Sequence, residues 1–181
     1  DKTAKLLGLG DPGGPAVERL ARAGDPAAVP LPRPMLGARE PHFSFAGLKS
    51  AVLRAVESGA HAPADIAASF QQAAIDCLLD RLTHALGAAG PFPALVVAGG
   101  VAANQAVRAA LERLAAAQAM RFVAPPLTLC TDNAAMIAWA GCERLALGGA
   151  AAAGDPLDVP ARARWPLDPA AEAVRGAGVK A

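Results

Sequence analysis

Leu95-Val96-Val97-Ala98-Gly99-Gly100-Val101-Ala102-Ala103-Asn104 is the stretch that decides the fold of this chain. It runs from a short apolar strand, through a glycine pair, into a helix. Because a strand that stops at two glycines and continues as a helix leaves backbone N–H groups unpaired at the helix N-terminus, such a turn suits a phosphate or a nucleotide. Glycines in turns of this kind also serve close packing alone, so ligand binding and packing are equal alternatives at this point.

The flanking sequence extends this turn into a βαβ unit. Residues 94–98 form a continuous apolar run, which is typical of a strand buried on both faces of a parallel sheet. Val107, Leu111 and Leu114 share one face of the helix predicted for residues 102–118, and residues 120–124 form a second apolar strand. Strand, helix and strand in this order predict two parallel strands, and the fold class is therefore α/β.

Helices dominate the rest of the predicted structure. The proline-studded residues 26–41 are expected to be extended, and the alternation in His42-Phe43-Ser44-Phe45 predicts a short strand. We expect residues 1–168 to be one folded portion and residues 169–181 to be a disordered tail. Apolar residues at three- and four-residue spacing predict helices over residues 1–9, 15–23, 46–58, 63–86 and 134–147.

Composition excludes few classes of function. The 181 residues carry a net charge of +1, which excludes neither nucleic acid nor acidic partners, so any basic surface would have to be local. Cys77, Cys130 and Cys142 are odd in number and form no C-x-x-C pair, which favours reduced thiols in a cytosolic protein. No apolar run is long enough to span a bilayer, and we expect no association with a membrane.

Two further places in the sequence are candidates for ligand contact. Gly13-Gly14 would let backbone approach a ligand closely, and Glu18 lies one helical turn after Gly14 on the same face. A helix–loop–helix with a solvated Glu18 explains the same residues. Asp132 or Asn133 stands where the N-cap of the last helix belongs; the alternative is a carboxylate at the C-terminal edge of the sheet, where open α/β folds bind ligands.

Four segments together go beyond generic pattern. They are residues 1–9 with Pro12-Gly13-Gly14-Pro15; Pro32-Arg33-Pro34-Met35 with Phe43-Ser44-Phe45-Ala46-Gly47-Leu48-Lys49; Ala98-Gly99-Gly100-Val101-Ala102-Ala103-Asn104; and Cys130-Thr131-Asp132-Asn133-Ala134-Ala135-Met136-Ile137-Ala138. In this order they closely resemble the bacterial TsaD family, the tRNA threonylcarbamoyladenosine synthases once labelled O-sialoglycoprotein endopeptidases. The resemblance extends to about residue 168 and includes Arg164-Trp165-Pro166-Leu167.

The resemblance implies a fold and an activity. The fold is that of the actin-like ATPases, two lobes with a nucleotide cleft between them. This chain has no starting Met and opens on helical residues, so we expect a C-terminal fragment: the C-terminal lobe with part of the inter-lobe region, the N-terminal lobe missing. The implied cytoplasmic reaction transfers a threonylcarbamoyl group from threonylcarbamoyl-adenylate to the exocyclic amine of adenosine at position 37 of tRNA, with TsaB and TsaE as partner proteins.

The resemblance also assigns roles to individual residues. Asp132 matches the aspartate that binds the family's divalent metal, one per subunit, with iron favoured and zinc the alternative. Asp1, Gly14 and Asn104 match adenylate-binding positions, and Glu18 falls where some members place a carboxylate on the nucleotide ribose. A metal suits this chemistry because it grips the threonyl end and polarises the carbamoyl carbonyl. An asparagine offers adenylate both a donor and an acceptor.

The chain departs from the family's pattern in ways that bear on activity. The family's other metal ligands are a His-x-x-x-His pair in the N-terminal lobe, and none of His42, His61 and His84 is spaced to form such a pair. Asp11 stands where the family commonly has an aromatic residue. We therefore expect these residues alone neither to hold the metal properly nor to catalyse the transfer.

Two other functions compete with this one. A small-molecule kinase of the same fold would keep its phosphate loops and catalytic carboxylate outside this chain, so only the Cys130–Ala138 motif argues against it. A non-catalytic scaffold paralogue, such as the partner TsaB, need not keep a metal aspartate or the Gly-Gly-x-x-x-Asn turn, and this chain has both. Candidates for contact with tRNA phosphates, each with solvated surface as the alternative, are Arg33, Arg39, Lys49, Arg162 and Arg164.

Overall fold

Helices make up most of the computed structural model, which describes residues 1–39, 42–148 and 170. The chain divides into two compact units, residues 1–133 and residues 134–181, and the second is described through α6 (Ala134–Gly148). The elements of the first unit are α1 (Lys2–Leu6), α2 (Gly13–Ala21), α3 (Leu48–Glu57), α4 (Pro63–Ala89), β1 (Ala94–Val96), α5 (Gln105–Ala117) and β2 (Arg121–Val123), with 3₁₀ turns at Gly100–Ala103 and Leu127–Leu129.

The two strands confirm the predicted βαβ unit. β1 and β2 pair in parallel, with Leu95 opposite Phe122. α5 connects them and packs its buried Val107 against Ile75 of α4, with Leu95 and Phe122 alongside. Val96, whose side chain points to the other side of the pleat, is 69% exposed. Within the first unit the helices cover one face of the strands, so the expectation of a strand buried on both faces is wrong for residues 1–133.

α4 is the longest helix and carries the core of the first unit. Its 27 residues span about 40 Å. Its N-terminal half packs against α1, α2 and α3, and its C-terminal half packs against α5 and the strands. Small side chains on α4, such as Ala67, Ala68 and Ala73, let the neighbouring helices approach closely. The buried residues contributed by those helices are Ala4, Val17, Ala21, Leu48, Val52, Val107, Ala110 and Leu111.

A row of polar side chains on α4, formed by Asp65, Ser69, Asp76 and Asp80, holds residues 25–38, which form no regular element. These four positions share one face of the helix. Because an irregular segment has no ladder partners, its N–H groups need other acceptors. Turn bonds within the segment supply some of them. The polar row supplies three more: Asp25 N–H to Asp65 Oδ1 at 2.8 Å, Val29 N–H to Ser69 Oγ at 3.1 Å, and Gly37 N–H to Asp80 Oδ2 at 3.2 Å.

Two arginines complete the attachment of this segment. Arg33 donates from Nε to Asp76 Oδ2 at 2.9 Å, so it binds α4 rather than facing outward. Arg81 is 1% exposed, donates to the Ala38 carbonyl oxygen at 2.6 Å and pairs with Asp80. Since a buried guanidinium is costly unless its N–H groups are bonded, these contacts fix the place of Ala38 against α4.

Several predicted boundaries are wrong. Residues 42–45 form no strand, because the described residues place no strand beside them, and Phe43 and Phe45 are exposed. α2 starts two residues earlier than predicted, so the glycine pair lies inside its first turn. α5 starts at Gln105 because a 3₁₀ turn takes up residues 100–103. The expectations for residues 149–169 and 171–181, the disordered tail among them, lie outside the described residues.

Among the helices that the structure describes, none has the combination of length and apolar character that a membrane crossing requires.

The polar row predicts a specific acid sensitivity. The hydrogen bond from Arg81, with a further bond from the Gly37 N–H, holds the pKa of Asp80 below its ordinary value. A carboxylate with a lowered folded pKa contributes stability above its unfolded pKa of about 3.9 and loses that contribution as the pH falls through the folded pKa. We expect the difference in urea midpoint between the wild type and Asp80→Asn to be largest at neutral pH and to shrink below about pH 4, measured by circular dichroism.

Glu57→Gln, which removes an exposed carboxylate at the end of α3, is the matched control for that titration. A difference between the wild type and Asp80→Asn that stayed constant down to acid pH would exclude the stabilising role of the Asp80 carboxylate.

Candidate functional site

Two loops leave the same edge of the sheet. The first edge loop, residues 99–104, follows β1, and the second edge loop, residues 124–133, follows β2. Because the strands are parallel, both loops lie at the carboxyl edge, where open α/β sheets bind ligands. Gly99 has a φ of +85°, which side chains disfavour, and the position beside it, Gly100, has open space where a Cβ would be.

Asn104 ends the first edge loop and caps α5. Its Oδ1 accepts the Val107 N–H at 2.9 Å, which satisfies one of the unpaired amides at the start of the helix. Its Nδ2 donates to Gln71 Oε1 on α4 at 2.9 Å. A carboxamide has two N–H groups and two lone pairs, so these bonds use one of each. The side chain that the sequence assigns to adenylate is thus oriented by two elements of the fold.

Glu18 connects α2 to the same helix start. Its Oε1 accepts the Gln105 N–H at 3.1 Å and lies 3.4 Å from Nη2 of Arg22. The Glu18 side chain is 13% exposed, whereas its partner Gln105 is exposed, so this contact lies at the protein surface. A carboxylate at a helix N-terminus is favoured by the helix dipole. The structure therefore brings Glu18 next to Asn104, 86 positions further along the chain, as the bond to Gln105 spans 87.

The two glycines of α2 have different surroundings. A Cβ on Gly13 would lie 2.8 Å from Asp1 Cα and 2.7 Å from Ala4 Cβ, so only glycine allows α1 to come this close. A Cβ on Gly14 would meet nothing within 4 Å, and the residue is exposed. Gly13 is therefore a packing residue that places Asp1, whereas Gly14 presents open backbone one turn before Glu18.

The contacts gather four of the five predicted site residues around α2. Asp1 lies against Gly13, Gly14 adjoins it, and Glu18 reaches the helix start that Asn104 caps. The fifth, Asp132, is exposed in the second edge loop. Its position is set by the buried Cys130, two residues before it, rather than by contacts of α2.

The metal-ligand set is incomplete in the described residues. They contain no group of three His, Cys, Asp or Glu side chains that could hold a metal ion. Asp132 offers one carboxylate, whereas protein sites for transition metals use three or more protein ligands. The donor set of the residues that the structure describes therefore does not fit a whole metal site.

Two side chains of the site were not predicted from the sequence. Gln71 orients Asn104, and Arg108 joins the two edge loops by bonds to the Ala102 and Pro125 carbonyl oxygens. Arg108 follows Asn104 by four residues and so lies on the face of α5 below the cap, a signal that was available in the sequence. The sequence holds no such indication for Gln71, because its partner Asn104 lies 33 positions away.

One of the basic residues predicted to contact tRNA phosphates is paired within the protein. Arg33 is bound to Asp76, whereas Arg39 and Lys49 are exposed. Arg162 and Arg164 lie outside the described residues.

Comparison with known proteins gives a consistent result. The family model TsaD, described as tRNA N6-adenosine threonylcarbamoyltransferase, matches residues 1–139. Curated proteins called tRNA N6-adenosine threonylcarbamoyltransferase are similar along the whole chain: that of Erythrobacter litoralis is 76% identical, that of Sphingopyxis alaskensis 71% and that of Zymomonas mobilis 64%. The matches cover 52%, 52% and 50% of those relatives, so the chain spans about half their length.

The surroundings of the glycine pair predict opposite effects of one substitution. Gly13→Ala forces a methyl group against the Asp1 backbone, and overpacking of this kind costs about 1–3 kcal/mol. Gly14→Ala meets open space and replaces a poor helix former, so the free energy of unfolding should stay unchanged or rise by up to about 1 kcal/mol. Urea unfolding of the two variants checks this pair, and equal stabilities would contradict the division of roles.

The cap at Asn104 predicts a graded loss of stability. Asn104→Ala removes the acceptor for the Val107 N–H and should lower the free energy of unfolding by about 1–2 kcal/mol. Asn104→Asp keeps an acceptor at the helix start and should recover most of that loss. Gln105→Ala, which changes only an exposed side chain beside the cap, serves as control, and chemical denaturation of all three provides the measurement.

Proposed function

Because this chain belongs to the TsaD family of tRNA N6-adenosine threonylcarbamoyltransferases, we propose that the intact protein transfers a threonylcarbamoyl group from threonylcarbamoyl-adenylate to the exocyclic amine of adenosine at position 37 of tRNA. The intact protein is then an acyltransferase of tRNA modification. Since its substrate is tRNA, we place it in the cytoplasm.

The observation that carries the proposal is the bond between Glu18 and the Gln105 N–H. It brings the start of α2, with the open backbone of Gly14, beside the start of α5, with Asn104. Helix N-termini favour anions, and exposed glycine backbone lets a phosphate approach. At the start of α5, Glu18 and Asn104 already occupy two amides. We therefore assign the adenylate phosphate to the Gly14 side and contacts to the ribose or base to Glu18 and Asn104.

The fold proposed for the intact protein is the actin-like ATPase fold. The family membership and the α/β architecture with a small parallel sheet support it. In that fold the described residues would be the C-terminal lobe with part of the inter-lobe region.

A metal is part of the proposal only through one residue. Asp132 is the candidate ligand in this chain, with iron favoured and zinc the alternative, and the remaining ligands would come from residues outside it. The bound metal would supply Lewis-acid chemistry at the carbamoyl carbonyl. The described residues supply one ligand to that metal. By the same reasoning we propose that these residues alone do not catalyse the transfer.

The proposed partners are tRNA, threonylcarbamoyl-adenylate and the proteins TsaB and TsaE. The exposed Arg39 and Lys49 are the described basic residues that we assign to tRNA phosphates. Against a small-molecule kinase or a silent scaffold stands the family match, which covers the Cys130-Thr131-Asp132-Asn133 segment.

Asp132 provides the direct test. In the full-length protein, Asp132→Ala should lower tRNA modification by about 100-fold or more, because a lost ligand removes the polarising group. Circular dichroism should show an unchanged fold, since the carboxylate is exposed. Formation of threonylcarbamoyladenosine in tRNA, followed by mass spectrometry of nucleosides, is the measurement.

Asp11→Ala, which removes an exposed carboxylate before α2, is the matched control and should modify tRNA at the wild-type rate. Modification at the normal rate by Asp132→Ala would overturn the assignment of Asp132. An active 181-residue chain without the rest of the protein would overturn the division of the site between the chain and residues outside it.

A further inference from the structure

Arg108 of α5 connects the two edge loops by a single side chain. Its Nε donates to the Ala102 carbonyl oxygen in the first edge loop at 3.0 Å. Its Nη2 donates to the Pro125 carbonyl oxygen in the second edge loop at 3.1 Å and lies 3.3 Å from Cys130 Sγ. The guanidinium thus binds one loop with one nitrogen and the other loop with another.

Cys130 closes this arrangement. It is 3% exposed, and its Sγ lies 3.6 Å from the Pro126 carbonyl oxygen and 3.8 Å from that of Pro125. A thiol has a weak donor and a weak acceptor, so Cys130 can donate to one carbonyl while accepting from Arg108. The loop backbone is therefore held at Pro125 and again at Cys130, two residues before Asp132.

Only arginine fits this position among the cationic side chains. The guanidinium is rigid and planar, with donors that point in fixed directions, whereas a lysine ammonium offers one nitrogen on a flexible stem. Lysine could reach one loop but would not set the distance between the two.

We propose that Arg108 is a positioning residue that sets the second edge loop, with Asp132, at a fixed distance from the first edge loop, with Asn104. The inference rests on the proposed function, in which Asn104 binds the adenylate and Asp132 acts at the threonylcarbamoyl end of the same molecule. The Arg108 guanidinium bonds to Ala102, Pro125 and Cys130 and not to the side chain of Asn104 or Asp132. Its loss leaves each loop present but lets the second one move relative to the first.

The first experiment measures the loop itself and is independent of activity. Iodoacetamide is added to the full-length protein, and peptide mass spectrometry follows alkylation at each cysteine. In the wild type, Cys130 should react slowly; in Arg108→Gln it should react about tenfold faster or more, because the loop opens locally. Cys77 is the internal control that should stay slow in both, since burial and then the Asp76 carboxylate raise the pKa of its thiol.

The second experiment measures catalysis by the full-length protein. With the loops uncoupled, kcat should fall about 100-fold, the effect of a misplacement of about 1 Å. The KM for threonylcarbamoyl-adenylate should change by less than about threefold, because the adenylate contacts stay in place. Equilibrium binding of the adenylate should keep its wild-type stoichiometry, which a partly unfolded sample would not do. Arg108→Lys should recover less than a tenth of the lost kcat. Its kcat should therefore stay about tenfold or more below the wild-type value, which corresponds to an activation free energy higher by about 1.4 kcal/mol or more.

Controls separate the possible failures. Arg113→Gln, on the exposed side of the same helix, should leave both the alkylation rate and kcat unchanged. If Asp132→Ala abolishes modification but Arg108→Gln does not, the positioning role is wrong and the proposed function stands. If neither variant changes modification, both the assignment of Asp132 and the positioning role of Arg108 are wrong. If the full-length wild type forms no threonylcarbamoyladenosine in tRNA, the proposed function itself is wrong. An unchanged alkylation rate of Cys130 in Arg108→Gln overturns the inference whatever the activity.

Discussion

The bonds between the polar row of α4 and the backbone of residues 25–38 are the constraint on which the first unit depends. A segment without helix or strand satisfies only some of its N–H groups internally, here in turn bonds such as Leu31 N–H to the Val29 carbonyl oxygen. Fixing it costs about 1–2 kcal/mol of backbone entropy per residue. Asp65, Ser69 and Asp80, which share one helix face, accept three of the remaining N–H groups. With the segment held in place, the buried Val29 and Leu31 complete the core between α3 and α4.

The elements of this fold that follow from local sequence were predictable. The apolar run after residue 93 predicted a strand, and the periodic apolar residues of α4 and α5 predicted helices. Such predictions need only neighbouring residues, because the periodicity of a helix or strand shows within a short window of sequence. The family motifs identified the candidate site residues, and Gly14, Glu18 and Asn104 do lie near one another through the contacts of α2. What Asp132 binds stays a prediction.

The contacts that join distant segments were not predictable, because no local pattern encodes them. Nothing in the sequence around Gln71 indicates its hydrogen bond to Asn104. Gly13 and Gly14 are the same residue type side by side, yet only Gly13 packs against α1. Residues 42–45 show the converse failure. Their alternation fits a strand, but a strand needs a neighbour to pair with, and in the described part of the chain none lies beside them.

The length of α4 is also fixed by the bonds that it makes to other parts of the fold. Asp65 and Ser69 lie before Gln71, which holds Asn104, and Asp80 lies after it. One rigid helix therefore spaces four attachments at about 1.5 Å per residue. One inserted residue after Gln71 would rotate everything beyond it by about 100° and carry Asp80 away from its partner. Insertions and deletions should therefore accumulate in residues 58–62, the connection between α3 and α4. In the described structure no such pair of attachments fixes the length of that connection.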